Sequence, residues 1–140
     1  MDGFRAVIAS CSYEYGMEKL TVFDRAVNQH DIITYFKLLK GFNKKPLAIF
    51  MDQLPAHRAL TVKDWCRDND VTRLFNVGYS PEYNPIEGVF SQVKRFYCKE
   101  RLNKLVKDEA FDQTFWVKKA FEVATLPLVR SNVEKSMRLL

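Results

Sequence analysis

Two carboxylates stand where an acid can take part in chemistry. Asp52 closes the apolar run PLAIFMD (46–52), bounded by Pro46 and the breaker Leu54-Pro55. A run of this kind fits a strand buried on both faces, and in open α/β sheets ligands collect beyond the C-terminal ends of such strands. A turn aspartate that bonds local backbone is the commoner occupant. Glu87 lies in the first turn of a helix opened by YSPEYNPIE. With Asn84 as N-cap and Pro85 at N1, it falls at N3, where a capping-box glutamate reaches back to the N-cap amide. Capping accounts for the residue but not for the helix behind it. Ile86, Val89, Phe90, Val93 and Tyr97 share one face, while Glu87, Ser91 and Lys94 line its flank. That flank borders the sheet edge and places Glu87 to point across at the strand end carrying Asp52. Two carboxylates brought together repel unless cations lie between them. Hard divalent ions such as Mg²⁺ take oxygen ligands, and a pair of them ~4 Å apart stabilises the attacking and leaving oxygens of an in-line displacement at phosphorus.

The elements that must position these acids alternate. RAVIASCS (5–12) and EKLTVFDRAV (18–27), joined by the turn-like YEYG, read as an antiparallel pair. Asn28 caps a helix through NQHDIITYFKLLKGF, with Asp31 in its first turn and Gly41 at its stop. After PLAIFMD comes HRALTVKDWCRDND as a helix with Leu60 and Trp65 as core candidates, then VTRLFNV (71–77) as another strand. Strand, helix, strand implies a mixed or parallel sheet flanked by helices. A long helix runs from Pro85 to about Lys104, and two more helices follow, separated near Leu126-Pro127.

Composition is that of one packed unit: 140 residues, 47% apolar and 14% aromatic. Twenty-two Lys and Arg against seventeen Asp and Glu leave a net charge of +5, which favours a polyanionic partner. The stretch KRFYCKERLNKLVK concentrates Lys94, Arg95, Lys99, Arg101, Lys104 and Lys107 against the single acid Glu100. A solvated helix face is the usual meaning of such a run; directly behind Glu87, a nucleic-acid surface is the alternative. Cys11, Cys66 and Cys98 are odd in number and widely spaced, so they read as reduced thiols of an intracellular protein. No apolar run approaches the ~20 residues of a membrane span.

The segments AIFMDQLPAHR and VTRLFNVGYSPEYNPIEGVFSQVKRF closely resemble the catalytic domain of mariner-type transposases and their bacterial insertion-sequence relatives, DDE enzymes with an RNase H-like fold. The most specific matches are Tyr79-Ser80-Pro81, Asn84-Pro85-Ile86-Glu87 and the 34 residues, 53 to 86, between the two acids. The resemblance runs from about Arg5 to Lys99. It implies an α/β, RNase H-like mixed sheet flanked by helices, with a partial catalytic domain over 1–107 and a C-terminal helical extension over 108–140 packed on it. By position, Asp52 resembles the second catalytic aspartate and Glu87 the closing glutamate, both ligands of Mg²⁺ or Mn²⁺. His57 matches a histidine usual after that aspartate, although a lone histidine at a helix start is more often structural. Lys94 and Arg95 match a basic pair placed to meet DNA phosphate, and Lys99 and Arg101 extend it. The implied activity is metal-dependent DNA strand cleavage and transfer, with DNA as partner and a nuclear location in a eukaryote.

Departures from the pattern carry their own expectations. Gln53 stands where asparagine is usual, and Asn76-Val77-Gly78 where an apolar residue and two prolines are usual. In the family the first catalytic aspartate lies on a first strand upstream of the one RAVIASCS resembles, and DNA-binding segments precede it. Here only Met1 to Phe4 stand in front; Asp2 is too near the terminus and Asp24 lies on the next strand. That first strand sits in mid-sheet, so the expectation is a sheet lacking its central strand. The gap would be closed by another chain, by a second copy, by re-pairing or by an upstream segment. Two readings follow. The chain is either the C-terminal portion of a DDE catalytic core, active when the first aspartate and the DNA-binding region are supplied, or a domesticated, non-catalytic subunit with a structural or DNA-contacting role. For the second, Phe111, Phe115, Trp116 and Phe121 would dock a partner rather than cover their own sheet.

Overall fold

A computed structural model describes residues 6–42 and 46–139. Asp2 therefore lies outside the described residues. The expected antiparallel pair is β1 (Ala6–Ser12) and β2 (Gly16–Phe23), in register from Ala6 opposite Phe23 to Ser12 opposite Gly16, with an irregularity at Ser10/Cys11. Gly16 takes φ +78° at the turn, a left-handed conformation that costs glycine little. Helix α1 (Gln29–Phe42) starts at a reciprocal cap. Asn28 Oδ1 accepts the Asp31 N–H at 3.0 Å, and Asp31 Oδ2 accepts the Asn28 N–H at 2.9 Å.

β3 (Leu47–Met51) pairs in parallel with β4 (Val71–Phe75), Leu47 opposite Val71 and Met51 opposite Phe75. The helix expected between them is broken. A single turn, α2 (Pro55–Arg58), is followed by α3 (Leu60–Asp68), because Ala59 sits in an extended conformation, φ −55° and ψ 142°. The break rotates the core face. Leu60, a core candidate in one continuous helix, is 69% exposed, while Val62 and Cys66 are buried and Trp65 packs at the core edge. β3 is not buried on both faces as its apolar run suggested. Ala48 and Phe50 are exposed, as are their parallel neighbours Thr72 and Leu74, since helices α1 and α3 cover only the other side.

Among the described residues the strands form two separate two-stranded ladders, β1–β2 and β3–β4. β1 and β3 each keep an edge without ladder partners. Both strands line one cavity of about 610 Å³, which Tyr35 and Phe36 of α1 and Ile86 and Phe90 also line. This arrangement accords with a sheet lacking a central strand.

The long helix α4 (Pro85–Val106) is followed by α5 (Gln113–Ala120) and α6 (Leu126–Arg138), with a 3₁₀ turn at Phe121–Val123 between the last two. Val89 and Val93 of α4 form a second core with Ala120, Ala124 and Val129. α4 and α6 approach closely where Gly88 meets Asn132, leaving no room for a Cβ. Most of the aromatic tail packs on its own chain. Phe111 stacks on Trp116 at 6.0 Å and meets Tyr97 edge-on at 5.4 Å, while Phe121 meets Phe90 at 6.0 Å. Phe115 is the exposed member.

Candidate metal and nucleic-acid site

Asp52 follows directly on the last residue of β3, and the ladder runs one step further because the Asn76 N–H donates to the Met51 carbonyl at 2.7 Å. The strand end is therefore fixed up to the residue before the acid. Its Oδ1 is shielded from solvent and accepts no hydrogen bond, although His57 Nδ1 lies 2.9 Å away; the ring nitrogen is better directed at the Asp52 carbonyl, at 3.2 Å. The side chain as a whole remains 44% exposed, so the other oxygen is open to the cleft. A shielded carboxylate oxygen is costly without a partner; His57 Nδ1 is the group beside it, and a cation in the cleft would meet the other oxygen.

His57 is held in place by the helix break. With Ala59 extended, the His57 carbonyl accepts from Arg73 Nη1 of β4 at 2.8 Å. Arg73 in turn lies over the Phe75 ring, 5.2 Å from its centre. The histidine that matched by position is thus tied to the next strand.

Glu87 stands in the first turn of α4, as the sequence indicated, but not as a capping box. Asn84 makes no side-chain cap, and its backbone N–H donates to the Pro81 carbonyl at 2.9 Å. With that amide occupied, the Glu87 carboxylate takes no hydrogen bond or ion pair among the described residues. Asp52 and Glu87 both line a cleft of about 560 Å³ between the strand ends and the loop 76–84. The donor set is hard oxygen, which suits Mg²⁺ or Mn²⁺. The described residues nevertheless gather no group of three potential ligands.

The loop over this cleft is pinned by residues to which sequence reasoning gave no role. Gln53 Nε2 donates to the Asn76 carbonyl at 2.8 Å, and buried Asn76 Nδ2 donates to the Ser80 carbonyl at 2.6 Å. These are two of the positions where the chain departs from the pattern it resembles. The departures were the available signal: side-chain amides brace a loop that prolines usually stiffen.

Lys94, Arg95, Lys99 and Arg101 are all exposed on α4. Lys94 and Arg101 are seven residues apart and Arg95 and Lys99 four apart, so they form two adjoining stripes. The basic run is not uniform, since Lys104 pairs with Glu109 at 2.7 Å and lies over Trp116. No described helix is long and apolar enough to cross a membrane.

The family model of the DDE superfamily endonucleases matches residues 3–111. No curated protein sequence matches the chain. Among solved structures, the catalytic domain of Mos1 transposase with raltegravir and Mn is similar at a TM-score of 0.66 and 14% identity, with 97% of this chain and 76% of that one covered. The Mos1 strand transfer complex gives a TM-score of 0.61 at 18% identity, covering 89% of this chain and 38% of that one. An intasome of simian T-cell lymphotropic virus gives 0.55 at 12% identity, covering 84% and 45%. These likenesses support the RNase H-like, α/β fold of mariner-type catalytic domains. With the family match spanning most of its length, and both acids inside it, the chain belongs to the DDE superfamily of endonucleases.

Proposed function

We propose that the chain supplies two metal-holding carboxylates, Asp52 and Glu87, to a centre that cuts and joins DNA strands. A strand from another polypeptide, a second copy or upstream sequence would enter the cavity between β1 and β3, completing the sheet and bringing the third acid. The observation that carries this reading is that Asp52, with one oxygen open to solvent, and Glu87, whose carboxylate takes no hydrogen bond or ion pair among the described residues, line the same cleft. Mn and Mg in structures of the Mos1 catalytic domain, and the strand transfer complex of the same protein, favour the metal and the reaction class.

Each residue has a definable task. Asp52 and Glu87 would hold divalent cations, which when bound stabilise charge on the attacking and leaving oxygens of phosphoryl transfer. His57, anchored through Arg73, limits the rotation of Asp52. Lys94, Arg95, Lys99 and Arg101 would bind backbone phosphates as a salt-sensitive, sequence-independent surface.

Mn²⁺ titration of the protein as purified, followed by electron paramagnetic resonance, tests the centre. Binding in the millimolar range or tighter, lost in Glu87→Gln and in Asp52→Asn, is the expected result. Absence of Mn²⁺ binding by the wild-type protein at millimolar concentration overturns it. The grouping of fewer than three ligands among the described residues favours a second reading, a structural or DNA-contacting subunit. In that case Glu87→Gln leaves assembly and DNA affinity unchanged while no metal binds.

A further inference from the structure

The tip of the loop over the cleft carries a feature that neither the metal nor the fold explains. Tyr79 is 107% exposed, so its ring rests on nothing in its own chain. Its backbone is also left-handed, φ +58°. The other non-glycine residues described with positive φ are Asp70 and Asp108, a residue type that tolerates this region; for a bulky aromatic it is an outlier. Gly78, the residue next to it with open space around it, would accept the conformation at far lower cost. Strain of this kind persists where the surroundings over-determine it. Here they do, through the amide braces of Gln53 and Asn76 and the Tyr83 N–H, which donates to the Ser80 carbonyl at 3.2 Å.

The loop therefore spends stability to present an aromatic face at the rim of the cleft that Asp52 and Glu87 line. Beside it, Val77 is 68% exposed and widens the apolar rim. A flat, sequence-tolerant aromatic face next to a phosphate-handling cleft is the arrangement on which unpaired bases stack.

We propose that Tyr79 is a positioning residue whose ring stacks on an unpaired nucleobase flanking a phosphate in the cleft that Asp52, Glu87 and Tyr79 line. This rests on the DNA reading above. The substrate class it selects is DNA whose end is single-stranded or frayed beside the cut, in preference to fully paired duplex.

Fluorescence anisotropy with two labelled duplexes, one blunt and one ending in three unpaired nucleotides, tests the proposal. Wild-type protein should prefer the unpaired end. Tyr79→Ala should weaken that binding by roughly 5- to 150-fold and leave blunt-duplex binding nearly unchanged, whereas Tyr79→Phe should retain the preference. Tyr79→Gly separates the effect from folding, because it relieves the backbone strain: its thermal midpoint should rise while the preference disappears. Equal affinity of wild type and Tyr79→Ala for the unpaired end overturns the stacking role and leaves the metal centre standing. Failure of the wild-type protein to bind either duplex overturns the DNA reading and the inference with it.

Discussion

Replacing Gly88 by alanine should destabilise the protein, and the reason is a single neighbour. A Cβ on Gly88 would collide with the carboxamide oxygen of Asn132 and lie 3.0 Å from its carbon. Asn132 cannot turn away freely, since its Nδ2 donates to the Leu128 carbonyl at 2.9 Å. Losing that bond costs about 1 kcal/mol, and crowding between two packed helices adds about 1–3 kcal/mol. Alanine in a helix interior returns about 0.8–1.0 kcal/mol over glycine. The net is a loss of about 1–3 kcal/mol, or on the order of 4–12 °C in thermal midpoint for a domain of this size. In an Asn132→Ala background the obstruction is gone, and Gly88→Ala should then stabilise, by up to about 1 kcal/mol. Urea unfolding of the four proteins, read by circular dichroism as a double-mutant cycle, measures both signs. If Gly88→Ala has the same sign and size in both backgrounds, Asn132 is not the obstacle and the reasoning fails.

Two further outcomes concern pH. Burial pushes Tyr35 up to about 12, with Ser10 and the Lys19 carbonyl around its hydroxyl, and burial followed by Glu18 pushes Cys11 up to about 11. Both folded values lie above the unfolded ones, so the folded state favours the neutral forms. Their contribution is full below about pH 9 and is lost as pH rises toward 12; alkaline urea titrations should show this decline, and Tyr35→Phe should flatten its upper part while costing about 1–2 kcal/mol at neutral pH through the lost hydroxyl bonds. At the other extreme, the Arg25 guanidinium, assisted by the Asn28 amide, holds the Asp31 carboxyl down at about 2. Its contribution is present above the usual carboxylate range and is lost as pH falls from about 4 to 2. Asp31→Asn should remove that acid limb, and an unchanged limb would assign it to other carboxylates.

What could be read in the sequence was the set of elements and the place of the two acids on them. Periodicity carries α4 because Val89 and Val93 fall on a buried stripe, and it carries α1 because its cap is written in Asn28 and Asp31. It fails at Ala59, a good helix former held extended by no local signal; the break is a tertiary matter, tied to the reach of Arg73 from β4 to the His57 carbonyl. The failure propagated to Leu60, which lies on the wrong side of the break. β3 misled for a related reason: an apolar run reports what a strand is suited to, not whether a layer covers it, and Phe50 and Leu74 stand uncovered. At the site, capping and chemistry competed for Glu87 on equal sequence grounds. The choice depended on where the Asn84 amide donates, a three-dimensional fact.

The open edges of β1 and β3 also bear on how such a chain is produced in a cell. An unpaired strand edge is a template for any extended backbone, and two of them facing one cavity make the described chain adhesive in proportion to its own concentration. Yield of dispersed protein would then be governed by gene dosage. Overproduction should drive the surplus into inclusion bodies, and slower synthesis should recover it.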